Sequence, residues 1–282
     1  GMEVTAQVGS RAIGVMMGLE ATMHPFTSHP VWLEMAALSP RERYTRLRDD
    51  ENLRHRLIAE RPDEKTMHFK EVELQRTFEL DAAVNYEPAP DQSIAARAKA
   101  QGRDPFDLAL ELMMQNDGQA LLMHPFENYC AGDLEVVKEM LEDPNTVCGV
   151  ADAGAHVGVI CDASSPTSLL THWGRDRTRG EKLPLEFLVR KQTHDTARTY
   201  GLLDRGVIAP GYKADINLID FEALRLQRPH IVYDLPAGGR RIIQKADGYR
   251  HTFVSGVEVM RGGEATGELP GQLLRGARAV PN

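Results

Sequence analysis

Up to Gly201 the chain alternates short apolar runs with stretches whose apolar residues recur at helical spacing. Residues 4–8 and 13–17 read as strands set among glycines, and residues 30–38 read as a helix. Ser39-Pro40-Arg41-Glu42 forms a capping box, with Ser39 as N-cap and Glu42 at the third helical position, so a helical region is expected to about residue 61. Residues 62–92 are polar and proline-punctuated, with one strand candidate over 72–80. Ser93 and Asp104-Pro105 start helices reaching about residues 100 and 116. Residues 120–123 and 146–150 are short apolar strands, with a helix over 133–141 between them. Helices are expected over 165–173, 184–192 and 193–200, the last stopped by Gly201.

Short apolar strands alternating with helices indicate α/β architecture with parallel strands. Past Gly201 the character changes: 214–220, 252–254 and 258–260 read as strands, and 254–259 as a tight hairpin around Gly256. This divides the chain into an α/β unit, residues 1–201, and a β-rich segment, residues 202–282, packed as a separate layer. Strand-like text begins directly after Gly1-Met2, so the chain is expected to start inside a fold.

The 282 residues are 42% hydrophobic and 26% charged, an ordinary globular mixture. With a net charge of −8 and no basic stripe, nucleic acid is not an expected partner. No apolar run reaches the length of a membrane helix, and none of the text reads as a signal peptide. Cys130, Cys148 and Cys161 are too widely spaced for a thiolate zinc site or a disulfide framework. Reduced, buried thiols and a cytoplasmic location are the expectation.

The stretch with most chemical content is residues 146–172, TVCGVADAGAHVGVICDASSPTSLLTH. An apolar strand delivers Asp152 to its carboxyl end, where parallel α/β folds place catalytic groups. On spacing alone a turn or helix-cap aspartate fits as well. Residues 150–173 are similar to the segment after the last barrel strand of the N-acyl-D-amino-acid deacylase family, whose usual wording there is close to S-D-G-G-A-H. DRGVIAPGYKADI, residues 204–216, resembles the G-x-I-x-x-G-x-x-A-D-[IL] signature of amidohydrolases, where the chain returns from the barrel into a small β-sandwich.

The resemblance implies part of a TIM-type (β/α)8 barrel with a β-rich C-terminal segment. It implies zinc as cofactor and a small-molecule substrate, an N-acyl (D-)amino acid or a related cyclic amide. It gives Asp152 two roles, as metal ligand and as the base that takes a proton from metal-bound water. His156 is a candidate substrate or supporting contact. Arg175 is either a substrate-carboxylate ligand or a surface residue at a helix end. His24 and His124, each in Met-His-Pro-Phe, face either the barrel mouth or structural hydrogen bonds.

Two departures stand out. The family's first strand carries a His-x-His pair, and none of the ten histidines here is so spaced. A catalytic zinc needs about three protein ligands, so the chain is expected to be truncated, to bind no catalytic metal by itself and to be inactive alone. Where typical D-aminoacylases carry a basic residue after a proline, this chain has Ser165-Pro166-Thr167. A partial barrel leaves open edges, so a homo-oligomer is expected. The alternative is a non-catalytic subunit that acts only by assembly with another chain.

Overall fold

The computed structural model describes residues 4–63, 65–67, 69–149, 151 and 154–281. Among the described residues thirteen strands lie in five sheets of two to four strands. In the first part, β1 (Ala6–Val8) pairs in parallel with β5 (Thr146–Cys148). β2 (Ile13–Met17), β4 (Leu122–Glu127) and β3 (Phe78–Glu79) form an antiparallel sheet with β4 in the middle.

The expected parallel pairing is therefore seen in one pair, and the neighbouring sheet runs the other way. Residues 18–121 separate β2 from β4, so no tight turn dictates their direction. Side-chain alternation and close approach decide it. Met17 and Leu122 face one core, and Met16 and Met123 the other. A Cβ at Gly14 would sit 3.0 Å from the His124 carbonyl oxygen, so glycine is needed where the strands meet.

Helices pack on both sides. Pro40–Asp49 begins with the expected box: Ser39 Oγ accepts from Glu42 N–H, and the Glu42 carboxylate accepts from Ser39 N–H. Asp50 ends that helix and caps the next, Glu51–Ala59, by accepting from Leu53 N–H at 2.9 Å. Ile94–Gln101 and Pro105–Met113 start at Ser93 and Asp104 as the sequence indicates. Phe106, Leu110, Met113, Leu47, Leu57, Phe26 and Trp32 fill the largest core. A second core joins Val8 of β1 to helix Glu135–Glu142 and to the helical stretches 165–176 and 185–199.

Those last two stretches contain wide π turns, at Leu169–Asp176 and Lys191–Asp195, where the periodicity indicated plain α-helix. The chain over 72–80 is mostly a 3-10 turn, Glu71–Arg76, and only β3 is strand.

The β-rich tail contains β6 (Ile216–Ile219), β7 (Arg225–Leu226), β8 (His230–Leu235), β9 (Gly239–Ile243), β10 (Ala246–Asp247), β11 (Tyr249–Val254), β12 (Val257–Arg261) and β13 (Glu264–Ala265). β11 and β12 form the expected hairpin, with Ser255 and Gly256 both at positive φ (51° and 80°), as a two-residue turn requires. β8–β9 is a second hairpin, which the sequence pattern did not reveal. The tail is tied to the first part at several points. Ile242 N–H donates to the Val157 carbonyl at 2.7 Å, and Tyr86 Oη to Gln244 Oε1 at 2.9 Å. Among the described residues no helix is long and apolar enough to cross a membrane.

Candidate functional site

The parallel pair β1–β5 fixes where a site can form. Gly149 N–H donates to the Val8 carbonyl at 2.9 Å, which carries the pairing one step past the strand ends. At this carboxyl end a cleft of about 180 Å3 opens, lined among others by Ser10, Cys148, Gly149, Ala151, Ser165 and Gln192. Trp173 Nε1 donates to the Ser10 carbonyl at 2.7 Å, and Ser10 Oγ to the Ser165 carbonyl at 3.3 Å, so helix 165–176 is locked to the end of β1. Burial pushes the Cys148 thiol up to about 11, so it is not a ready nucleophile.

Asp152, the carboxylate singled out by the sequence, lies outside the described residues. His156 follows at φ 49° with an exposed side chain. Its carbonyl accepts from Val159 and Ile160 N–H at 2.8 and 3.0 Å, which makes it a turn residue; its ring has no hydrogen-bond partner among the described residues. Arg175 is spent on structure. It holds Asp176 at 2.6 and 2.9 Å and donates to the carbonyls of Phe221, Glu222 and Leu224. It thus clamps helix 165–176 to the tail.

His24 and His124 take structural hydrogen bonds. His24 is buried, meets the Trp32 ring edge-on at 4.2 Å and accepts from Phe26 N–H at 3.2 Å through Nδ1. Burial, helped by Arg43, His29 and Arg240, pushes it down to about 3, so it is neutral. His124, on β4, contacts Thr77 Oγ1 at 3.1 Å and Glu73 at 3.5 Å, and burial lowers it too.

Two buried ion pairs were invisible in the sequence. Arg11 and Asp162, both almost fully buried, meet at 3.4 Å, and the guanidinium stacks 3.8 Å above the Tyr86 ring. Arg11 Nε and Nη1 and Asp162 Oδ2 have no partner among the described residues. Burial pushes the Asp162 carboxyl up against the pull of Arg11.

The second pair is fully satisfied. Arg177 grips Glu87 with Nε and Nη2 at 3.0 Å each, and the other side of Glu87 takes His172 Nε2 at 3.0 Å and Leu134 N–H at 2.9 Å. Arg177 also reaches Glu135 at 2.8 Å and lies 4.5 Å over the Trp173 ring. Burial pushes the Glu87 carboxyl up, but the bonds from His172, Arg177 and Leu134 overcome it and hold it down to about 2. The π turn makes this possible: Arg177 N–H bonds the His172 carbonyl five residues back at 2.8 Å, and both side chains reach one carboxylate. The only sequence hint was the Arg175-Asp176-Arg177-Thr178-Arg179 cluster after Trp173; nothing in the text joined it to Glu87.

The cysteines form no disulfide: Cys161 is buried, Cys148 half-buried, and Cys130, expected inside, is exposed. Among the described residues no three His, Cys, Asp or Glu side chains come together as a metal site. The implied zinc therefore has no donor set among the described residues.

The model of the Amidohydrolase family matches residues 5–260. N-acyl-D-aspartate deacylase of Alcaligenes xylosoxydans xylosoxydans is 29% identical over 175 residues, 52% of this chain and 33% of that protein. A 5-methylthioadenosine/S-adenosylhomocysteine deaminase of Desulfitobacterium hafniense is 36% identical over 104 residues, 32% of this chain and 24% of that protein. Among solved structures, a D-aminoacylase described as defining a novel subset of amidohydrolases gives a TM-score of 0.37 at 24% identity, over 68% of this chain and 36% of that one. N-acyl-D-glutamate deacylase from Bordetella bronchiseptica, complexed with zinc and a phosphonate inhibitor, gives 0.34 at 22% identity, over 66% and 36%. The matched parts span a third or less of the curated relatives' length. With its family model matched over residues 5–260, this chain belongs to the amidohydrolase family.

Proposed function

We propose that this chain is the C-terminal part of a metal-dependent amidohydrolase that hydrolyses the amide bond of an N-acyl (D-)amino acid or a related cyclic amide. In this reading residues 1–201 belong to a (β/α)8-type barrel and residues 202–282 to the β-rich segment that accompanies it. Asp152 would be one ligand of the metal, zinc, and would accept the proton when the metal is bound. The other donors come from outside these 282 residues. His156, exposed in the turn that follows, is the closest candidate for a substrate contact. Arg175, committed to Asp176 and the tail, supports the wall of the site.

The observation that carries the reading is the cleft at the carboxyl end of β1 and β5. In parallel α/β enzymes catalytic groups sit at that end, and Ala151, which lines the cleft, immediately precedes Asp152 in the sequence. The match to N-acyl-D-aspartate deacylase over about half of the chain supports the substrate class.

The test is release of acetate from N-acetyl-D-amino acids by the zinc-loaded protein of the complete reading frame. Asp152→Asn should lower turnover by at least about 100-fold, because base catalysis alone is worth roughly 10²- to 10⁴-fold. A variant that keeps a tenth of the activity would make Asp152 a turn residue. Elemental analysis of the 282-residue chain after dialysis tests the donor set. One tightly held zinc per chain would place the whole metal site inside it and overturn that part of the reading.

The second reading is a subunit that acts by assembly, favoured by the apolar side chains left exposed on the tail, such as Leu218.

A further inference from the structure

A separate cavity of about 410 Å3 opens on the other face of helix 165–176, and it shares no lining residue with the cleft beside β5. It is within the size range of small-molecule sites. Its walls include His172, Arg179, Tyr86 and the apolar Val84 and Leu226. We propose that this cavity binds a small organic carboxylate that also carries a hydrogen-bond donor and a short apolar tail.

Arg179 supplies the charge. Its Nη1 is anchored on the Glu87 and Pro88 carbonyls and the Tyr129 hydroxyl at 3.2, 3.1 and 3.0 Å. Its Nε and Nη2 have no partner among the described residues. That edge is the one with which this protein grips carboxylates: Arg241 holds Asp234 through Nε and Nη2 at 2.7 Å each, and Arg177 holds Glu87 the same way at 3.0 Å. A planar fork with two parallel N–H groups matches a carboxylate. Other charges at the cavity are already engaged, Arg225 with Asp247 at 2.8 Å and Asp176 with Arg175.

His172 supplies the second contact. Glu87 is ionised and can only accept, so His172 Nε2 carries the proton toward it. In the neutral ring Nδ1 is then an acceptor, and it has no partner among the described residues. It suits a ligand hydroxyl or N–H. Val84 adds a further sign of specialisation: it is a β-branched residue held at φ 51° in the cavity wall, a strained conformation of the kind that gathers at ligand sites.

Isothermal titration with 2-hydroxyisocaproate, isocaproate and inorganic phosphate tests the assignment. The hydroxy acid should bind at one site per chain, several-fold more tightly than isocaproate and than phosphate. Phosphate binding tighter than the hydroxy acid would overturn the carboxylate assignment, and isocaproate binding equally well would overturn the role of His172. Arg179→Lys keeps the charge but loses the fork, and should weaken the hydroxy acid at least tenfold. Because Arg179 also holds the 87–88 carbonyls, a second variant is needed. Ala83→Trp, on the exposed rim, should block the cavity and abolish binding while leaving Arg179 and the melting temperature unchanged. Wild-type affinity in a folded Ala83→Trp or Arg179→Lys protein, or no saturable binding to the wild type, refutes the proposal.

Discussion

Single side chains carry the electrostatic consequences of this fold. Glu87 and Arg177 are almost completely buried and satisfy each other, so removing one partner is far worse than the pair's net worth. Glu87→Gln should destabilise the protein by up to about 3 kcal/mol, read from urea unfolding at neutral pH, because buried Arg177 keeps only the half-exposed Glu135 as counter-charge. Replacing the exposed Asp49, paired with Arg48 on the surface, should leave the urea midpoint unchanged. His24 gives a pH signature. Its folded value is about 3 against an ordinary 6.5, so the unfolded chain takes up a proton that the folded one refuses. Its full contribution is present above pH 6.5 and is lost progressively as pH falls toward 3. Between pH 7 and pH 4.5 this amounts to about 2–3 kcal/mol. His24→Asn, which offers Phe26 N–H another acceptor, should lose about that much less over the same interval. An identical acid slope in wild type and variant would show that His24 titrates normally. Neither network could be read from the text: Glu87 lies in a polar, proline-rich stretch, and Arg177, His172 and Leu134 are 90, 85 and 47 residues away.

At the scale of elements, legibility followed local chemistry. Ser39-Pro40-Arg41-Glu42, Ser93 and Asp104-Pro105 start helices in the structure because each cap is made by residues within three positions. Ile13–Met17 and the β11–β12 hairpin were readable for the same reason. The π turns at Leu169–Asp176 and Lys191–Asp195 were not, since a one-residue widening leaves almost the same apolar pattern as an α-helix. β8–β9 was missed because Pro236–Gly238 gives no two-residue turn signal and the strands are only half-buried. The cap makes a direct test: Ser39→Ala should cost about 1 kcal/mol in urea unfolding, and Ser39→Asp should restore most of it. The β2–β4 contact makes another. A Cβ at Gly18 would lie 2.8 Å from Leu121 Cδ2 and 2.9 Å from the Ala120 carbonyl oxygen, so Gly18→Ala should destabilise by about 1–3 kcal/mol. A Gly18→Ala protein as stable as wild type would mean that the two strands can separate without penalty.

At the scale of the molecule, the strands of the described residues leave sheet edges open. The four-stranded tail sheet runs β13-β12-β11-β6, so β6 pairs on one side only. Ile216 and Leu218 of that edge strand are 37% and 54% exposed, and Val257 on β12 is 39% exposed. Ile208 and Leu269, on the same β-rich segment, are more exposed still. A single exposed leucine means little, but apolar side chains on a strand with a free row of N–H and C=O groups form a template for another strand. Charged gatekeepers on β6 would block that pairing, and its four residues Ile216–Ile219 are Ile-Asn-Leu-Ile, with no charge. Association through this edge would bury the apolar side chains and satisfy the free backbone groups together, and a second copy of the chain is the partner always at hand. The protein should therefore sediment at micromolar concentration as a dimer or larger, at twice the 31.4 kDa chain mass or more. Leu218→Lys puts a charge on the edge without touching a buried contact, so it should return the protein toward 31.4 kDa at unchanged helical content. A wild-type protein that remains a monomer would mean that the tail sheet is stable with its edge in water, and a Leu218→Lys protein that remains a dimer would move the interface elsewhere.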